Sequence, residues 1–123
     1  MLVLVAHGSR NQDWRRSLED LTEALQGSRS GTETRLAFMQ FSGPTLEEVV
    51  REGENQGTRE FHILPLFMAS AGHVDKDIRP LVDSLAQRHP DLHFHLLPPV
   101  GEDPRFHRLI ETIAQDSLEG DER

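Results

Sequence analysis

The sequence predicts an α/β domain: a parallel sheet of four strands in the order 2-1-3-4, with helices on both faces. Three observations predict it. Apolar runs of strand length alternate with segments whose apolar residues recur every three or four positions. The runs are continuous rather than alternating, as in strands covered on both faces. Two of them end at a histidine in a glycine-containing turn, "VLVAHGSR" after the first and "MASAGHVDKD" after the third.

Taken in order, residues 2–6 (LVLVA) form the first strand. In NQDWRRSLEDLTEALQG, Trp14, Leu18, Leu21 and Leu25 lie on one helical stripe, and Gly27 supplies the stop. The second strand is predicted over 33–41 (ETRLAFMQF). The second helix follows in GPTLEEVVREGENQG, with Pro44 near its start, Leu46, Val49 and Val50 on one face, and Gly57 closing it. The third strand covers 60–67 (EFHILPLF). After it, Ile78, Leu81, Val82 and Leu85 share a stripe, and Pro80 requires a start near Asp75 to Asp77. LHFHLLPPV is the fourth strand, and DPRFHRLIETIAQDSL the fourth helix, capped by Asp103 with Pro104 at its first position. Residues 1–123 read as one domain, with 119–123 as a disordered tail.

Composition excludes several function classes. The absence of cysteine rules out disulfides, thiolate metal sites and cysteine nucleophiles. A net charge of −8 opposes nucleic-acid binding, which needs a basic face. No apolar block approaches the roughly 20 residues of a bilayer span, and MLVLVAHG lacks the basic start of a signal peptide. A cytoplasmic protein with no membrane partner is the expectation. The loops also lack the acidic residues of a phosphoacceptor, a Ser/Thr-rich flavin-phosphate loop and the glycine patterns of nucleotide sites.

The sheet order carries the functional argument. With strands 1 and 3 adjacent, their carboxyl ends flank the switch point where open α/β sheets bind ligands. His7 and His73 follow those strands, so the two imidazoles are expected to border one crevice. Gly8 lets the first turn bend, Ser9 and Arg10 complete it, and the amides opening the next helix can receive an anion. The Arg10 guanidinium suits carboxylate or phosphate, and Lys76 and Arg79 are further candidate cations. Small residues up to Gly72 leave room for a bulky ligand. Imidazole at such a place can bind a divalent metal or accept a proton near neutral pH. His62, His89 and His107 read as structural or surface residues, and His93 and His95 as one face of a half-exposed edge strand.

Together, LVAHGSR, FMQFSGPTLEEVV, ILPLFMASAGHVDKDI and LLPPVGEDPRFHRLIETI resemble the sirohydrochlorin chelatases of the CbiX/SirB type across essentially the whole chain. The length matches one lobe of the class II chelatase fold, which is flavodoxin-like. That resemblance implies a lyase inserting a divalent metal (cobalt, nickel or iron, as substrate) into sirohydrochlorin or a related tetrapyrrole of cobalamin or siroheme biosynthesis. No permanently bound cofactor is implied. It assigns metal binding and pyrrole deprotonation to His7 and His73; Ser9, Arg10, Gln40, Gly72 and Lys76 are the candidate contacts with the tetrapyrrole. A one-lobe chain also implies a homodimer.

One position departs from the family pattern. A Phe-x-Glu triplet closes the family's second strand, whereas this chain has Phe38, Met39 and Gln40. A glutamine takes no proton and carries no charge, although its carbonyl oxygen can coordinate. Three outcomes follow: the imidazoles act without a carboxylate, Asp75 or Asp77 supplies one, or the chain binds metal or tetrapyrrole without catalysis. A purely structural subunit is the remaining reading.

Overall fold

The computed structural model describes residues 1–8, 10–27, 32–68 and 74–120; of Val74 and Asp75 it describes the backbone. The strands are β1 (Leu2–Ala6), β2 (Thr34–Phe38), β3 (Glu60–Pro65) and β4 (His93–Leu96). The helices are α1 (Gln12–Gln26), α2 (Leu46–Asn55), α3 (Arg79–Arg88) and α4 (Pro104–Gly120). All strand pairs are parallel, and the order is β2-β1-β3-β4 as predicted.

Side-chain alternation along the strands splits the core in two. Val3, Val5, Ala37, Phe61 and Ile63 face one way and pack with Val49 and Val50 of α2 and Val82 and Leu85 of α3. Leu4, Ala6, Leu36 and Phe38 face the other way, against Trp14, Leu18 and Leu25 of α1. Side-chain caps start α1, α2 and α4. The Asn11 side chain accepts from the backbone N–H groups of Asp13 and Trp14 at the head of α1. Thr45 and Glu48 form a reciprocal capping box on α2. Asp103 caps α4, its carboxylate accepting from the Arg105 backbone N–H at 2.8 Å, with Pro104 at the first position as expected.

The strands are shorter than the apolar runs. β2 ends at Phe38 rather than at 41, because Phe41 takes a φ of 66° and turns the chain out. β3 ends at Pro65 rather than at 67, where its partner β1 has itself ended at Ala6. A π-helical turn, Val74–Ile78, precedes α3 and places Pro80 at the start of the α-helix proper, where its missing N–H is no loss. The predicted tail is partly helical: α4 runs through Gly120, since no helix breaker occurs earlier, and 121–123 lie outside the described residues.

Helices do cover both faces, but α4 joins neither layer. None of its residues is buried, and Leu109, Ile110, Ile113 and Leu118 are 47–63% exposed. No helix among the described residues is long and apolar enough to cross a membrane.

Candidate functional site

The site grows from the point where β1 and β2 leave the sheet together. The Met39 N–H donates to Ala6 O, and the Gln40 N–H donates to His7 O, both at 2.9 Å. Gly8 permits this approach: its φ is 110°, and a Cβ there would stand 1.7 Å from Gln40 O. The backbone contact brings His7 and Gln40 to one lip of the sheet.

The third strand supplies the floor. His7 stacks on Phe67, ring centroids 4.0 Å apart and planes 21° from parallel. Phe67 is itself buried, and its carbonyl accepts from the Gly101 N–H at 2.8 Å. A Cβ on Gly101 would fall 1.6 Å from Met68 O, so the exit of β3 is clamped by a close backbone crossing. The exposed imidazole of His7 therefore rests on a fixed platform.

A cavity of about 460 Å³ opens over these carboxyl ends, lined by His7, Met39, Gln40, Phe67, Lys76 and Asp77. Lys76 and Asp77 arrive on the π-helical turn, a wider helical geometry common at functional sites. The lining thus combines one imidazole, one amide, one ammonium and one carboxylate with two apolar side chains. Such a set can coordinate a borderline divalent ion, exchange a proton and contact an anionic ligand.

Of the residues expected here, His7, Gln40 and Lys76 line the cavity. Arg10 instead lies over the exposed ring of Phe41, 5.2 Å from its centroid. Ser9, Gly72 and His73 lie outside the described residues, as does the Asp75 side chain. Asp77, the other carboxylate considered, faces the cavity. Phe67 and Met39 join the lining without a sequence signal that singles them out. Only the neighbouring exits of β1, β2 and β3 show that a phenylalanine ending the third apolar run lies under His7.

A parallel sheet covered on both faces, with a mixed polar cavity over the carboxyl ends of its central strands, defines an α/β protein of the switch-point ligand-binding class. Within that class the family is specific. The CbiX family profile matches residues 1–117, and the chain belongs to that family. It is similar to the sirohydrochlorin cobaltochelatase of Methanocaldococcus jannaschii, 31% identical over 88 residues covering 72% of this chain and 62% of that protein. With the sirohydrochlorin ferrochelatase of Bacillus subtilis it shares 24% identity over 94% of this chain, but 44% of that protein. The chain therefore spans less than two thirds of the length of these curated relatives. The solved CbiX protein of Marinobacter aquaeolei VT8 superposes with a TM-score of 0.83 at 31% identity, covering 100% of this chain and 98% of that one.

Proposed function

We propose that this chain is a chelatase that inserts a divalent metal, cobalt first and nickel or iron as alternatives, into sirohydrochlorin or a close relative in the cytoplasm. The observation that carries the reading is the exposed imidazole of His7, fixed on Phe67 at the mouth of a cavity shared with Gln40, Lys76 and Asp77. His7, with His73, holds the incoming ion through neutral imidazole nitrogens and accepts the pyrrole protons. Asp77 supplies the carboxylate that Gln40 lacks, and Gln40 offers its carbonyl oxygen to the ion. Lys76 draws in the carboxylates of the macrocycle, and Arg10, Ser9 and Gly72 are the further candidates for contact with it.

A second copy of the chain completes the cleft. The Bacillus subtilis relative, of which this chain spans 44%, is more than twice as long, which favours that arrangement. So does the apolar stripe exposed on α4, beside an apolar groove of about 580 Å³ that includes Leu64, Leu97, Phe106 and Leu109. The test mixes the protein with sirohydrochlorin and cobalt, nickel or anaerobic iron and follows the absorption spectrum. Metallation faster than the protein-free rate, lost in His7→Ala and in His73→Ala, supports the chelatase. A rate equal to the blank rejects it.

Gln40 favours a second reading, a non-catalytic carrier of metal or tetrapyrrole. Saturable spectral change without faster metallation supports it, and Gln40→Glu would then confer turnover.

A further inference from the structure

Glu60, His62 and His95 meet on the face of the sheet opposite α2 and α3, at the amino-terminal half of β3. Glu60 and His62 alternate with the buried Phe61 and Ile63, so both project to that face. His95 of β4 is the register partner of His62, which brings the two imidazoles side by side. Their rings stack at 4.5 Å, 11° from parallel. Glu60 reaches both: His95 Nε2 donates to Glu60 Oε1 at 2.8 Å, and His62 Nε2 lies 3.7 Å from the same oxygen. One ligand atom from each residue falls within 4.8 Å of the other two.

We propose that these three side chains form a second divalent-cation site, separate from the cavity at His7, for a first-row transition ion such as nickel, cobalt or zinc. The donor set is two imidazole nitrogens and one carboxylate oxygen, which suits borderline ions and leaves positions open for water. Metal–ligand bonds of about 2.1 Å in a tetrahedral site hold ligand atoms about 3.4 Å apart. The observed separations bracket that value. All three side chains are 45–59% exposed, so small rotations bring them onto one ion, which takes the place of the hydrogen bond between His95 and Glu60. The site is well removed from His7: five residue steps along β3 and its exit, or roughly 16 Å of extended chain, lead from His62 to Phe67. The inference does not rest on the chelatase reading.

Equilibrium dialysis of the full chain, free of any affinity tag, against nickel chloride with no tetrapyrrole tests it. The wild type is expected to hold one more nickel per chain than His62→Ala/His95→Ala. Glu60→Gln should weaken that extra site at least tenfold, and His7→Ala should leave it intact. Nickel should also raise the melting temperature of the wild type and of His7→Ala but not of the double variant. His95→Ala alone, on an edge strand, repeats the test if the double variant fails to fold. Equal nickel counts in wild type and histidine variants overturn the proposal. An extra site whose affinity is unchanged in Glu60→Gln also overturns it, since that is adventitious binding by imidazole alone. Failure at the His7 cavity is distinguishable, because it removes an ion from the wild type and the double variant alike.

Discussion

Two helices of this chain, α2 and α4, each carry an apolar stripe, yet α2 buries Leu46, Val49, Val50 and Gly53 while α4 buries nothing. The difference lies in what stands beneath them. α2 crosses a sheet face made of Val3, Val5, Phe61 and Ile63, and Gly53 brings it so near that a Cβ would stand 2.9 Å from the Phe61 ring. α4 starts after the clamped turn at Gly101, and its sustained packing is with that turn. Amphipathicity states that a helix has a face to bury; it does not state that the same chain provides the surface. In α4 the unused stripe is the feature a second copy would cover.

The comparison can be broken most severely under α2. Phe61→Ala empties a fully buried site stacked on Phe94 and should cost about 3–5 kcal/mol in urea unfolding. Ile113→Ala on α4 should change the unfolding of dilute monomer by less than about 0.5 kcal/mol. A comparable loss at both positions would mean that α4 packs on its own sheet.

Gly8→Ala is expected to come next. The new methyl would collide with Gln40 O at a φ that disfavours any side chain, so β1 and β2 must separate at their exits. A loss of about 2 kcal/mol is expected in the same assay, together with at least a tenfold drop in tetrapyrrole metallation. Full activity in this variant would show that the contact between His7 and Gln40 does not shape the site.

Sedimentation velocity tests the stripe itself. If the chain forms the proposed dimer, Ile110→Glu/Ile113→Glu should convert it to monomer and leave the far-ultraviolet circular dichroism unchanged; a wild type that is itself monomeric would refute the dimer. An unaltered mass would place the partner surface elsewhere.

The smallest effect concerns the cap of α4. The Arg105 guanidinium, then its backbone N–H, hold the Asp103 carboxyl at about 2, below its usual 3.8. A carboxyl lowered on folding stabilises the native state above its unfolded pKa, and that contribution fades as pH falls through the folded value. The melting-temperature gap between wild type and Asp103→Ala should therefore be constant above about pH 5 and shrink from there toward about pH 2, as the unfolded 3.8 gives way to the folded value of about 2. A gap that instead grew on acidification would contradict the cap.

Much of the fold was legible because its signals are local. Trp14, Leu18 and Leu25 mark the stripe of α1, and Asp103 with Pro104 marks the start of α4, each within a few residues. Strand ends were less legible: Met39 and Gln40 continue an apolar run, but the ladder stops when β1 stops and Phe41 turns away. The site was half legible. His7 and Lys76 stand out as residue types beside glycine or before a helix, while Phe67 looks like any core phenylalanine. Arg10 stands out by type and turn as a candidate cation, yet it lies over Phe41, which no spacing rule connects to it. His62 read as a structural residue and His95 as an edge-strand one until register paired them.

The sequence by itself determined the order of strands and helices, the cap at Asp103, the three stripes facing the sheet and the positions of candidate imidazoles. Each of these depends on neighbours a few residues away, where periodicity and backbone chemistry act directly. Tertiary structure alone decided that Phe67 supports His7, that Asp77 faces the cavity, that Glu60 reaches two histidines and that α4 lacks a floor. Those relations join residues distant in sequence across strands about 4.8 Å apart, and strand register, not local pattern, sets them.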